Sequence, residues 1–211
     1  MTHLLSELIF KTIYINYKEG TIFINICFYL LITIIFPLCL GTNLVILNKI
    51  TFGILSIVLI LSLILSLDNL FQKDHEDGTL DLLFLTSTPL EFIVILKSFI
   101  YWVSYGVPLI LITPIIILLM SMNFNIQIFY SLLIITIGLS FWGTMGACLT
   151  LGLKQKSFII TIIIIPIYLP ILIFSSNLNL LKDSTIIIII FVISCCINTL
   201  ISSLALRLSF K

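Results

Sequence analysis

Long apolar runs alternate with short polar segments along most of the chain. Each run holds about 20 residues, the length that an α-helix needs to cross about 30 Å of hydrocarbon. The pattern therefore predicts an all-α integral membrane fold with six transmembrane helices. Because these helices take up most of the 211 residues, no room remains for a soluble catalytic domain. The predicted spans are approximately Thr21–Leu40, Val45–Leu67, Ile93–Met120, Ile126–Gly152, Phe158–Ser175 and Thr185–Leu206.

The first 20 residues follow a different pattern. Their apolar side chains form one helical stripe, while Glu7, Lys11 and Lys18 fall outside it. This spacing predicts an amphipathic helix in the membrane interface over residues 1–20. A single membrane domain follows over 21–211. The helix either orients the first span as an elbow or is simply a surface-bound N-terminus. The stripe consists of Leu4, Leu5, Leu8, Ile9, Thr12, Ile13 and Tyr17.

Composition narrows the class of protein further. Hydrophobic residues make up 61% of the chain and charged residues only 9%, and the net charge is +1. No basic patch with interleaved aromatic residues is present, so nucleic acid is not an expected partner. The five cysteines lie in or beside apolar runs without CxxC spacing, and we interpret them as small buried hydrophobic side chains. The abundance of Ile and scarcity of Ala and Arg indicate an AT-rich genome, either mitochondrial or bacterial.

Cations near the ends of the spans predict the orientation. With the N-terminus on the cytoplasmic or matrix side, eight cations lie inside and only Lys49 and Lys182 lie outside. Both termini and the link between the second and third spans are then inside. The composition favours the mitochondrial inner membrane, with a bacterial plasma membrane as the alternative. The inner cations are Lys11, Lys18, Lys73, Lys97, Lys154, Lys156, Arg207 and Lys211.

Charge is concentrated in one loop, Asp68–Lys97, between the second and third predicted spans. Five of the nine acidic residues fall within 14 positions of it. Gly78 permits a backbone turn that other residues resist, and Thr79–Leu85 predicts a short helix. Next, Thr88 suits a helix N-cap and Pro89 the first helical position, while Glu91 suits a capping box. Lys97 would snorkel to the interface. The five acidic residues are Asp68, Asp74, Glu76, Asp77 and Asp81.

Several kinds of chemistry have no sequence support. No ionisable residue lies deep in a predicted span, which argues against proton pumping. No phosphate-binding GxxxxGK[ST] loop is present, and no catalytic set or metal-ligand spacing stands out, so we predict no catalytic residue and no metal site. His75 is interpreted as a solvated loop histidine.

The fourth span has a face of small residues. This face serves either ordinary bundle packing or a sliding or dimerising contact. Its residues are Gly138, Ser140, Gly143, Gly146 and Ala147.

The loop resembles the permeases of one class of ABC exporters, in which a Glu-x-Gly-Thr-Leu element precedes a Pro-x-Glu helix start. More narrowly, the chain is similar to the CcmB family, the haem exporter protein B of cytochrome c maturation. The resemblance runs from about residue 20 to the C-terminus, and His75 departs from the aromatic residue expected there. Its further matching segments are Phe36-Pro37, Gly106–Leu109, Thr113-Pro114, Leu149–Lys154, Ile165–Phe174 and Ala205–Ser209.

This resemblance implies a six-helix permease without its own ATPase site. It implies pairing with a second copy of the chain, two copies of an ABC ATPase subunit, a haem-handling membrane subunit and an outer haem chaperone. Haem would be a possible cargo and ATP would bind the partner, so no cofactor is assigned to this chain. The implied coupling residues are Glu76, Asp77, Gly78, Thr79, Leu80, Asp81, Leu83 and Phe84, and the implied start of the gate helix comprises Thr88, Pro89, Glu91 and Lys97.

Two other hypotheses remain open from the residues. The chain could be a small structural subunit of a respiratory membrane complex, with the acidic loop as an assembly contact. Alternatively, the loop could be a solvated link without a partner. Affinity purification in mild detergent distinguishes the permease, because only the permease should retain an ABC ATPase. Substitutions in the loop should be silent if the loop is a solvated link.

The predicted topology can be tested by labelling accessible tags. Tags at both termini and at Glu76 should be reachable only from the inner side, and a tag at Asn123 only from the outer side, because of the cation bias. Labelling of Glu76 and Asn123 from the same side would show that the six-span arrangement is wrong.

Overall fold

The computed structural model describes residues 17–18, 20–41, 44–67, 70, 78, 89–119, 126–151, 156–176 and 184–209. Within these residues, all regular secondary structure is helical. Six long helices coincide with the predicted spans to within a few residues. They are α1 (Thr21–Leu40), α2 (Leu44–Leu67), α3 (Leu90–Tyr101, Trp102–Gly106 and Val107–Leu119 in succession), α4 (Ile126–Leu149), α5 (Lys156–Ser176) and α6 (Ser184–Ser209).

Four of the helices are long and apolar enough to cross a membrane. Their candidate spans are Thr21–Cys39, Ile50–Leu67, Leu90–Leu118 and Ile128–Leu149. In α5 and α6 the described apolar stretches are shorter, Ile159–Leu169 and Cys195–Arg207. The all-helical membrane class is thus confirmed, while the count of six spans stays a prediction.

Helix α4 lies at the centre of the described bundle. It packs against α2, α3, α5 and α6, whereas α1 packs on α2 and on the second half of α3. The most deeply buried side chains are large and apolar or aromatic, and they come from different helices, so one core joins the bundle. Examples are Tyr29, Leu59, Leu63, Leu109, Leu132 and Tyr168.

Helix α3 contains a π-helical turn at Trp102–Gly106, which was not predicted. The indole of Trp102 lies against Gly106, where a Cβ atom would be only 2.8 Å from Trp102 Cδ1. A wider turn rotates the helix face that follows it. The inner segment of α3, Leu90–Tyr101, accordingly packs mainly on α4 and α6, while the outer segment, Val107–Leu119, packs on α1 and α4.

Several polar side chains between the helices find partners within the protein. The Tyr29 hydroxyl lies 2.9 Å from Thr113 Oγ1, joining α1 to α3. Ser62 donates to Asn25 Oδ1 over 2.8 Å, joining α2 to α1. Tyr168 donates to the Leu139 carbonyl over 2.9 Å, joining α5 to α4. Such bonds satisfy groups that lipid cannot solvate.

The cysteine prediction is only partly confirmed. Cys148 is buried, but Cys27, Cys39 and Cys196 lie exposed on the outer surface of the bundle. The sequence could not separate the two groups, because an apolar environment in a membrane protein is either the protein core or lipid. Either environment suits a small thiol side chain.

Neighbouring helices of the bundle pack against the small-residue face of α4. A Cβ atom at Gly143 would lie 2.7 Å from Leu67 Cδ2 of α2, and one at Gly146 would lie 2.5 Å from Ile164 Cδ1 of α5. The missing side chains let both helices approach α4 closely. These contacts confirm the interpretation of this face as ordinary bundle packing.

We expect Gly146→Ala to destabilise the bundle. The added methyl group meets Ile164, which is fully buried, and overpacking of this kind costs about 1–3 kcal/mol. Thermal unfolding of the purified protein in mild detergent measures the effect. The matched control is Gly53→Ala in α2, where a Cβ atom would meet nothing within 4 Å. Equal melting temperatures for the two variants would contradict the close approach of α4 and α5.

Candidate functional site

The acidic loop, the main candidate from the sequence, lies mostly outside the described residues. Of the predicted coupling residues the structure describes Gly78 alone. Its φ of 68° falls in the left-handed region, which confirms the predicted turn. The predicted residues outside the described part are Glu76, Asp77, Thr79, Leu80, Asp81, Leu83, Phe84 and Thr88, together with the loop histidine His75.

The loop begins with a turn that returns to the bundle. The Leu70 N–H donates to the Leu67 carbonyl over 3.1 Å, directly after the end of α2. The Leu70 side chain is only 8% exposed and belongs to the hydrophobic core. The start of the loop is therefore held in a fixed position against the helices.

Helix α3 begins one residue later than predicted. Pro89 has φ −65° and ψ 136°, an extended conformation, so it precedes the helix and is not its first residue. Its carbonyl accepts hydrogen bonds from the N–H groups of Phe92 (3.1 Å) and Ile93 (3.4 Å). The proline ring fixes φ at a value common to helix and extended chain, so the sequence left ψ undetermined.

Glu91 joins the start of α3 to the end of α6. Its Oε1 atom lies 3.3 Å from Nη2 of Arg207, and the two side chains are 36% and 60% exposed. The carboxylate also contacts its own backbone N–H and lies beside the Ser203 hydroxyl. The predicted capping partner, Thr88, lies outside the described residues, whereas the partner on α6 was not predicted.

Lys97 is buried, contrary to the prediction that it snorkels to the interface. Its side chain is 8% exposed. Because α3 starts at Leu90, position 97 lies two turns inside the helix, where α4 and α6 cover it. Its charge acts on the thiol of Cys148 in α4, and this thiol also contacts Ser202 of α6. An ionisable side chain therefore lies inside the bundle, which the predicted spans did not indicate.

Sequence reasoning also missed Asn198 of α6. The side chain is 1% exposed, and neither its amide nitrogen nor its oxygen has a hydrogen-bond partner among the described residues. Ser202, four residues later on the same helix face, donates to the Asn198 carbonyl over 2.7 Å. The feature of the sequence that could have identified Asn198 is this four-residue spacing of polar side chains within an apolar run. Arg207 was equally visible as the single arginine of the chain.

We call the end of the bundle where α3 begins and α4 and α6 end the inner end, after the predicted orientation. An exposed ion pair, Glu91–Arg207, lies there, with a buried cation, Lys97, behind it. Among the described residues, these groups do not form a paired nucleophile and base. The ion pair connects the first turn of α3 to the last turn of α6.

Comparison with known proteins agrees with this architecture. The family model described as CcmB protein matches residues 3–208. The chain is 35% identical over 174 residues to Heme exporter protein B of Haemophilus influenzae, covering 81% of this chain and 79% of the relative. It is 36% identical over 157 residues to the protein of that name from Rhodobacter capsulatus, covering 74% and 72%. The Escherichia coli K12 protein of that name is 30% identical over 151 residues, covering 71% and 69%.

The chain belongs to the CcmB family. The resemblance inferred from the loop and from the segments after it is confirmed. All three CcmB relatives are bacterial proteins, so the comparison gives no support to the mitochondrial location that the composition favoured. An AT-rich genome produces the same residue skew in an organelle and in a bacterium, and composition alone could not separate them.

Replacement of Lys97 tests whether this CcmB-family bundle is built around a buried cation. Lys97→Glu reverses the charge between α3, α4 and α6, and we expect it to lower the free energy of unfolding by about 3 kcal/mol or more. Lys97→Met, the matched control, keeps the apolar stem without a charge and should be milder. Thermal unfolding in detergent and the amount of protein in membranes measure the effect. Equal stability of the two variants would argue against a buried ammonium group.

Proposed function

We propose that this chain is the membrane-spanning permease subunit of an ABC transporter for cytochrome c maturation. In this role, ATP hydrolysis by a separate subunit drives haem export or release of the haem-loaded chaperone. The observation that carries the proposal is the CcmB match over residues 3–208, together with relatives named Heme exporter protein B. It favours this function over that of a structural subunit of a respiratory complex.

The mechanism we propose is mechanical. The partner ATPase moves the short helix predicted over Thr79–Leu85, and the start of α3 carries the motion into the bundle. Apolar side chains of that helix fill a groove on the partner, because such contacts usually supply most of the interface energy. Acidic side chains set orientation. The apolar anchors are Leu80, Leu83 and Phe84, the charges are Glu76, Asp77 and Asp81, and Thr79 lies between the two groups.

Features of the described residues support this mechanism. The loop starts from the buried Leu70 and turns at Gly78 with a positive φ. It ends at Pro89, whose fixed φ leads directly into α3. A movement of the loop would therefore be passed to α3 through a rigid connection and would not be absorbed by a flexible linker. Thr88 and Lys97 delimit the part of the chain that would receive the movement.

The proposed assembly follows the family. The permease would pair with itself and with two ABC ATPase subunits, beside a haem-handling membrane subunit and with a haem chaperone on the outer side. The chain would cross a bacterial inner membrane six times with both termini in the cytoplasm. Four described helices long and apolar enough to cross a membrane support this arrangement, as does the eight-to-two distribution of cations between the two sides of the predicted spans.

The docking helix can be tested with Leu83→Asp and Phe84→Asp. Each variant places an unpaired carboxylate in a desolvated contact, which costs several kcal/mol. Because the loop is predicted to lie outside the lipid, the variants should accumulate in the membrane. They should fail to retain the ATPase in mild detergent and fail to support holocytochrome c formation.

The matched control for these variants is Gln72→Asp. It adds the same carboxylate to the same loop outside the predicted docking helix, so ATPase retention and holocytochrome c formation should persist. Normal ATPase retention and normal cytochrome c assembly with both Leu83→Asp and Phe84→Asp would refute docking through this helix. Loss of all three proteins from the membrane would instead place the loop in the bundle's folding core, which also contradicts the proposal.

A further inference from the structure

The ion pair between Glu91 and Arg207 connects the first turn of α3 to the last turn of α6. The two atoms Oε1 and Nη2 are 3.3 Å apart. A carboxylate in a first turn and a cation in a last turn each interact favourably with the dipole of their own helix. Because the helices run in opposite directions here, these two favoured positions lie side by side. The pair therefore fits the geometry of both helix ends.

Stability does not explain this contact well. Exposed ion pairs contribute little to folding free energy, and both side chains are more than one-third exposed. The inner segment of α3 is already packed on α4 and α6 through buried residues such as Val94 and Leu206. The ends of the two helices would thus stay near each other without the pair. What the pair adds is a fixed orientation of one end relative to the other.

The position of the pair along α3 matters for movement. Glu91 lies two residues after Pro89, where the loop enters the helix. Eleven residues after Glu91 the π-helical turn begins, and beyond it α3 exchanges α6 for α1 as a neighbour. The inner segment of α3 can therefore follow α6 while the outer segment stays with α1.

We propose that Glu91 and Arg207 are positioning residues that make the inner segment of α3 and the end of α6 move as one unit. This inference rests on the proposed function, because the movement begins at the loop on which the partner ATPase acts. The pair transmits that movement to α6, which also contacts Cys148 of α4 through Ser202. Without the pair, ATP would still be hydrolysed but less of the movement would reach α6.

The test compares Glu91→Gln, Arg207→Gln and the exchanged pair Glu91→Arg with Arg207→Glu in one chain. Lys211→Gln is the matched control, since it removes one positive charge four residues after Arg207 in the sequence. Each permease is expressed with its partner subunits. Four quantities are measured: protein in the membrane, ATPase retained in mild detergent, ATP hydrolysis by the purified complex, and holocytochrome c formed.

We expect both single variants to keep normal accumulation, ATPase retention and ATP hydrolysis. Their holocytochrome c should fall by about fivefold, the low end of typical coupling between sites. The exchanged pair should recover part of this loss, because it restores the ion pair while it places both charges against the helix dipoles, and Lys211→Gln should match the wild type. A merely structural role would lower accumulation or melting temperature, and the exchange would not restore holocytochrome c selectively.

Two outcomes overturn the inference and remain distinguishable. If the wild-type complex retains the ATPase but the single variants form normal holocytochrome c, or the exchanged pair is no better than they are, the positioning role is wrong while the proposed function stands. If the wild-type chain retains no ATPase, the proposed function fails and the inference fails with it.

Discussion

The absence of hydrogen-bonding partners in lipid is the constraint on which the rest of this structure depends. Backbone groups in the spans must bond within helices, and polar side chains must bond inside the protein. Many hydroxyl groups here satisfy the requirement either with a carbonyl of their own helix, as Thr33 does with Tyr29, or across helices, as Tyr29 does with Thr113. Burial of a charged group in the membrane costs more free energy than burial of a hydroxyl group. Among the described helices, Glu91, Lys97 and Arg207 lie at the inner end, whereas Lys49 lies near the start of α2.

This distribution of charge explains why the inner end is the candidate functional site. The middle of the bundle is filled by Tyr, Leu and Ile side chains, and its small residues serve close packing, as Gly143 and Gly146 do. Such a core transmits movement but offers little for recognition. Recognition requires exposed groups, and α3 connects these to the core. Its π-helical turn divides the helix into segments with different neighbours.

Most of the site could be located from the sequence, although not its contacts. The turn at Gly78 was predictable because a positive φ favours glycine strongly. The start of α3 was predicted one residue early, since Pro89 suits either side of a helix boundary. The burial of Lys97 and the partner of Glu91 were not predictable. Both depend on α4 and α6, which are distant along the chain and meet α3 only in the folded protein.

The sequence by itself determined the helical membrane class, the approximate bounds of the helices and the family. Helix length follows from bilayer thickness and apolar composition, both of which are local properties of a run of residues. The tertiary structure alone decided which face of each helix is buried. In a soluble protein, polar residues mark the outer face, but here lipid and core are equally apolar, so Cys148 and Cys196 look alike in the sequence. Only close packing between helices, at positions such as Gly146 and Ile164, separates the interior from the lipid-facing surface.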